Sequence, residues 1–130
     1  MDVIVQVCKL VMGMAWNFTA YILWRYAERV GEEKINLTDF LNFVFVKLGR
    51  KQKVFFHDGK EDLLRDLEYL AELKLIGLEK EDTDTKIEVH DQLKNVAESL
   101  VDLSKRVKVG LMEEYLYRID RAIDELSSRV

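Results

Sequence analysis

The sequence predicts a mainly α-helical domain that carries one small β-hairpin and is flanked by further helices. The first observation behind this lies between Asp58 and Asp91. Apolar residues there recur at helical spacing (Leu63, Leu64, Leu67, Leu70, Ala71), and the period then falls to two at Ile76 and Leu78 and again at Ile87 and Val89. The second is the polar run Asp82-Thr83-Asp84-Thr85, which has turn chemistry and separates the two alternating segments. The third is size. A chain of 130 residues, 48% hydrophobic and 34% charged, is long enough for one domain with one core and too apolar to stay disordered.

Residues 2–30 are helical in pattern, with a joint expected near Gly13 or Asn17. Residues 1–17 thus form an N-terminal extension to a core over 18–91. In the extension Val3, Ile4, Val7, Leu10, Val11 and Met14 share one broad face. Beyond the joint, Phe18, Ile22 and Tyr26 lie on one side, and Trp16, Ala20, Leu23, Ala27 and Val30 on another, so this helix should be buried most of the way round. Gly31 can end it in a left-handed conformation. Lys34-Ile35-Asn36-Leu37 reads as a short extended link. Thr38 is the expected N-cap of the second helix, with Asp39 in the first turn, where a negative charge suits the dipole. That helix runs to about Gly49 on a stripe of Leu37, Leu41, Val44, Phe45 and Leu48. A second apolar set, Phe40, Phe43 and Val46, needs cover from the N-terminal helix or from a partner subunit.

Gly49–Gly59 reads as a loop with a basic start. Asp58 and Glu61 have capping-box spacing, which puts the start of the third helix at Asp58 and its end near Lys74. From Asp91 the chain is helical again. Leu93, Val96, Leu100, Leu103 and Val107 step by three and four, as do Val109, Met112, Leu116, Ile119, Ile123, Leu126 and Val130. The two registers meet out of phase at Gly110, so the C-terminal arm, 92–130, should break near 107–111. Its coiled-coil-like stripe needs a mating surface, because each buried Leu or Ile gains roughly 1.5–3 kcal/mol. That surface is either the N-terminal helix or the same stripe of a second chain. In the second case Leu116, Ile119, Ile123, Leu126 and Val130 form a homodimer interface.

Helix, link, helix, loop, helix, hairpin, helix is also the order of winged-helix domains. The stretch Phe18–Glu79 resembles that superfamily in AYILWRYAERVGEEKINLTDFLNFV, where one helix ends at Gly31 and INLTDFL opens the next. It does so again in LEYLAELKLIGLEKE, which is similar to the leucine-rich third helix and its entry into the first wing strand, permuted here to Leu75-Ile76-Gly77-Leu78. With its flanking helices the layout resembles dimeric archaeal and bacterial transcription regulators of the MarR and PadR kind. The resemblance implies a homodimer that binds double-stranded DNA through the third helix and the wing, hence through Arg65, Lys80 and Lys86.

Charge divides the function classes. The net charge is −4 and the pI about 5.3, whereas duplex binders usually carry a basic patch. Residues 60–74 hold Lys60, Arg65 and Lys74 against Glu61, Asp62, Asp66, Glu68 and Glu72. The hairpin is more acidic still, with only Lys80 and Lys86 against Glu79, Glu81, Asp82, Asp84, Glu88 and Asp91. Residues 47–60 are the opposite: Lys47, Arg50, Lys51, Lys53 and Lys60 face Asp58 alone, and His57 can add charge at lower pH. The nucleic-acid candidates are therefore Arg50, Lys51, Lys53, His57, Lys60, Arg65, Lys80 and Lys86. The alternative is a winged-helix protein-interaction module whose acidic third helix and wing dock a basic protein partner.

Catalysis finds no support. The six glycines stand singly, without a phosphate-binding loop, and no serine sits in a nucleophile elbow. His57–Asp58 and His90–Asp91 offer two ligands each, too few for a metal site, and Glu32-Glu33 and Glu113-Glu114 read as helix surface. No cofactor is expected. Cys8 alone allows neither an internal disulfide nor a cysteine-cluster zinc site, and fits a reducing, cytoplasmic setting. The longest uncharged run, Leu10–Trp24, is shorter than the roughly 20 residues of a spanning helix, and no positive charge precedes Asp2 as in a secretory leader. Three glutamines amid abundant Lys and Glu fit a heat-adapted, archaeal or thermophilic source.

Overall fold

The computed structural model describes residues 15–32, 34–54, 57, 59–81, 83–107 and 110–127. The N-terminal extension over 1–14, Cys8, Phe55, Phe56, Asp58, Asp82, Val109 and Val130 lie outside them.

Helix α1 (Ala15–Val30) forms the centre of the molecule. Residues Phe18 through Leu23, with Tyr26 and Ala27, are buried, as an apolar pattern on both sides requires. Val30 departs from that expectation. It lies in the last turn, beyond the reach of the neighbouring helices, and is exposed. Gly31 ends the helix with φ 71°, its N–H bonded to the Ala27 carbonyl at 2.9 Å.

The link after it is a strand. β1 (Lys34–Asn36) pairs antiparallel with β3 (Asp84–Val89), which pairs with β2 (Ile76–Glu81), so the hairpin is the larger part of a three-stranded sheet ordered β1-β3-β2. Ile35 faces Ile87, and Ile87 faces Leu78 across the sheet; the two isoleucines are buried. Glu81 pairs with Asp84, which leaves two residues for the turn.

Helix α2 (Leu37–Asn42) follows β1 at once. Thr38 is not its cap. Asn36 takes the N-cap position without a side-chain bond, and the Thr38 hydroxyl donates to Asp84 Oδ1 at 3.0 Å, tying α2 to the hairpin. The continuation Phe43–Lys51 is wound more widely, as a π-helix. Of the apolar set in need of cover, Phe40 and Phe43 are buried, with their rings 5.5 and 5.1 Å from Tyr26 of α1, and Val46 is half-buried. No partner subunit is needed to shield them.

Helix α3 (Lys60–Glu72) begins after Gly59, which caps it without a side chain. Leu63, Leu67 and Leu70 face the core. It closes in a Schellman turn: the Leu75 N–H bonds to the Leu70 carbonyl and the Lys74 N–H to the Ala71 carbonyl, both at 3.0 Å, with Lys74 at φ 62°. His90 Nδ1 lies 3.0 Å from the Lys74 carbonyl and fastens the end of the hairpin to this turn.

The C-terminal arm is two helices, α4 (Gln92–Val107) and α5 (Gly110–Ser127), broken where the registers slip. Its stripe packs within the chain. Leu93, Ala97 and Leu100 of α4, and Met112, Leu116, Ile119 and Ile123 of α5, are buried against α1 and its surroundings, with Leu126 partly buried beside them. Of the two mating surfaces the sequence allowed, α1 is the one used. Leu116, Ile119 and Ile123 therefore present no free face to a second chain. A polar pin reinforces the packing: the Tyr21 hydroxyl donates to Asp120 Oδ1 at 2.5 Å, and Arg25 Nε lies 3.3 Å from the same oxygen, in ion-pair contact without hydrogen-bond geometry. Burial, and then Asp120, push the Tyr21 phenol well above its usual range.

Lys74 occupies a conformation that costs a side-chain-bearing residue about 1–2 kcal/mol. Lys74→Gly removes that cost and gives back part of it through a freer unfolded chain. The substitution should stabilise the protein by about 0.5–1 kcal/mol in urea denaturation, and Lys74→Val should destabilise it.

Candidate functional site

The basic segment gathers where the π-wound helix ends and α3 begins. Arg50 and Lys51 stand exposed in the last turn of that helix, where its dipole favours cations. Lys53 closes the turn at φ 60°, with its N–H on the Gly49 carbonyl at 3.0 Å, and is exposed. Val54 then drops into the core. Lys60 opens α3, also exposed. Arg50, Lys51 and Lys53 thus sit together at the end of the π-wound helix, and Lys60 is exposed in the first turn of α3.

His57 does not join them. It is buried, its Nε2 2.8 Å from Asp66 Oδ2 and 2.9 Å from Thr19 Oγ1, and the Thr19 hydroxyl donates to the same carboxylate oxygen at 2.9 Å. With the threonine proton directed to Asp66, the imidazole N–H also points toward Asp66, shared with the threonine oxygen. The side chain is turned inward, where it meets the half-buried Asp66 carboxylate and the buried Thr19 hydroxyl. This closed triangle joins α1, the loop and α3. Sequence paired His57 with its neighbour Asp58; the helical register of α3, which aims Asp66 at α1, was the missing signal.

The other candidates scatter. Arg65 is exposed on α3 and pairs with Asp62 at 3.3 Å. Lys86 is half-buried in β3 and its ammonium bonds to Asn36 Oδ1, so it braces β1 against the hairpin. Lys80 is exposed near the hairpin tip. Lys34, which no sequence pattern singled out, lies 3.2 Å from Glu79, and that hydrogen bond holds its ammonium above the usual lysine range. Lys34 also faces Glu88 across the sheet, and Lys86 faces Glu79. The sheet therefore neutralises much of the hairpin's acidity internally. Asp84 is held below the usual carboxylate range, chiefly by the Thr85 backbone N–H, with the Thr38 hydroxyl contributing. Arg118 of α5 likewise carries no sequence signal. It donates to the Gln52 carbonyl at 3.1 Å and pairs with Glu114 at 2.9 Å, which braces the turn at the end of the π-wound helix.

Along α3 the outward face holds Glu61, Arg65, Glu68, Tyr69, Glu72 and Leu73, with the Tyr69 ring edge-on to Trp16 at 5.3 Å. This face is acidic with an apolar end. Among the described residues no cluster of His, Cys, Asp and Glu is placed to hold a metal, and no helix is long and apolar enough to cross a membrane.

No known protein family, curated protein or solved structure matches this chain.

Removing the imidazole takes one hydrogen-bond donor from the Asp66 carboxylate. A hydrogen bond to a charged group contributes about 1.5–3 kcal/mol. His57→Ala should therefore cost about 2–3 kcal/mol in denaturant unfolding. A double-mutant cycle with Asp66→Asn should return a coupling of about 1 kcal/mol or more, and strict additivity would show the triangle to be inert.

Proposed function

We propose that this chain is a winged-helix DNA-binding protein that grips the phosphate backbone of a duplex with Arg50, Lys51, Lys53 and Lys60 and acts in transcription regulation. The element order, helix, short strand, two helices, hairpin, helix, agrees with the order that the winged-helix resemblance implies. The single observation that supports the reading is the exposure of Arg50, Lys51 and Lys53 together at the end of the π-wound helix, a turn braced by Arg118 on the Gln52 carbonyl, with Lys60 exposed at the start of α3. Phosphate contacts of this kind position a protein on DNA without reading sequence. His57 and Lys86 take no part in gripping phosphate, since both are committed inside the protein, and Lys80 is the cation left to the wing.

A second reading has its own support. The acidic outer face of α3, with Tyr69 and Leu73 exposed at its far end, suits a basic protein partner. The two readings use different surfaces and separate experimentally. On the first, a duplex is retarded in a low-salt mobility shift, and changing Arg50, Lys51 and Lys53 together to Glu weakens binding more than tenfold. The slope of log affinity against log salt should fall by about 0.9 for each phosphate that no longer meets a cation. Absence of any retardation at low salt would remove the DNA reading and leave the protein-docking one.

Pairing of two chains belongs to the same proposal, through surfaces other than the C-terminal stripe. Light scattering at micromolar concentration should give the mass of two chains, and a single-chain mass would strike that part out.

A further inference from the structure

We infer that the cleft between α3, the start of α2 and the hairpin binds a small aliphatic anion: an apolar tail ending in a singly charged head such as a carboxylate. The cleft encloses about 430 Å³, within the range of small-molecule sites and too confined for a bilayer or a folded partner. Its floor is Leu37 from α2, Leu64 and Leu67 from α3, and Leu78 from β2. Leu67 is fully buried, Leu37 and Leu64 are half-buried, and Leu78 is 39% exposed, so the fold leaves part of this leucine surface open to water. The floor has no aromatic ring, which suits an alkyl tail rather than a stacked one.

The mouth supplies the charge. Lys60 from α3 and Lys80 from β2 both line it. Elsewhere on the sheet the lysines are engaged, Lys34 on Glu79 and Lys86 on Asn36. Lys60 and Lys80 make no ion pair among the described residues. Lys60 stands in the first turn of α3, where the helix dipole opposes a cation, and Lys80 faces Thr85 rather than a carboxylate across the hairpin. Two ammonium groups over an apolar floor are complementary to one amphipathic anion. Glu68 shares the rim and reduces the excess to a single positive charge, which favours a monoanion over a phosphate. The site stands whether or not the chain binds DNA. If it does, an occupant takes Lys60 and Lys80 away from the phosphates.

The test is an NMR titration of the isotope-labelled full chain, without DNA, using octanoate, octanol and propionate as probes. Octanoate should produce saturable shifts centred on the amides of Leu64, Leu67, Leu78 and Lys80. Octanol, with the tail alone, and propionate, with essentially the head alone, should each bind at least about tenfold more weakly, the factor expected from losing a modest share of the binding energy. The double variant Lys60→Gln, Lys80→Gln, on exposed positions that the core does not use, should bring octanoate down to the level of octanol and leave octanol unchanged. Octanol binding as tightly as octanoate, insensitivity to the double variant, or shifts absent or spread away from the cleft would each overturn the proposal.

Discussion

A helix that is apolar on both sides has to be enclosed, and α1 sets that requirement for the whole molecule. From Phe18 to Ala27 it exposes almost nothing, and one short helix cannot be wrapped by a single neighbour. Helix α3 covers one flank, the phenylalanines of α2 a second, and α4 and α5 the rest. The sheet lies outside this wrapping and joins it through Ile35, Ile76 and Ile87, all buried. Because α1 consumes the C-terminal stripe, the long apolar ladder of α4 and α5 is a wall of the core, not a free seam for another chain. The desolvation that drives this is non-directional, so it explains why the helices gather but not how they are oriented.

Orientation comes from the few polar groups that α1 carries inward. Thr19 is fully buried, and its bonds reach Asp66 of α3 and His57 of the loop. Half a turn on, Tyr21 reaches Asp120 of α5. A buried polar group without a partner costs as much as several methylenes, so each pin rejects rotations of α1 that hydrophobic contact alone would tolerate. The first pin also fixes His57 against α3, nine residues before its partner Asp66.

Much of this was legible in the sequence where a period is long enough to count. The leucines of α3, the change to alternation at Ile76 and the register slip near Gly110 each have several residues of evidence, and each corresponds to an element or a break in the fold. Three features lay below that threshold. β1 is three residues long and has no period of its own; it exists because β3 offers it an edge. The wide winding of Phe43–Lys51 changes hydrogen-bond partners without changing residue types. The stripe from Leu93 to Leu126 demanded a mate, but periodicity is indifferent to whether that mate lies in the same chain. The site was readable as charge and unreadable as structure. The cations at 50, 51, 53 and 60 are exposed as their composition suggests, while His57 is drawn in by Asp66 one element on and Thr19 far back in sequence, and Lys86 by the distant Asn36.

The acidity of α3 is the main argument against a polyanionic partner, and distance weakens it. At about 1.5 Å of rise per residue, Glu72 lies about 18 Å along the axis from Lys60. The screening length at physiological salt is about 8 Å, so carboxylates at the far end of the helix hardly reduce the field at its start. Of the two acids nearest Lys60, Asp62 is paired with Arg65. The sheet acts the same way: on its paired strand residues three lysines meet four carboxylates, with Lys34 and Lys86 already committed. Net charge therefore averages over unevenly placed acids: Glu61 adjoins Lys60, while Glu72 stands about two screening lengths from it. A duplex lying along the helix would meet Glu61, Glu68 and Glu72 together and be repelled. The DNA reading proposed above therefore requires backbone contact confined to the entry of α3, without the duplex lying along its outer face.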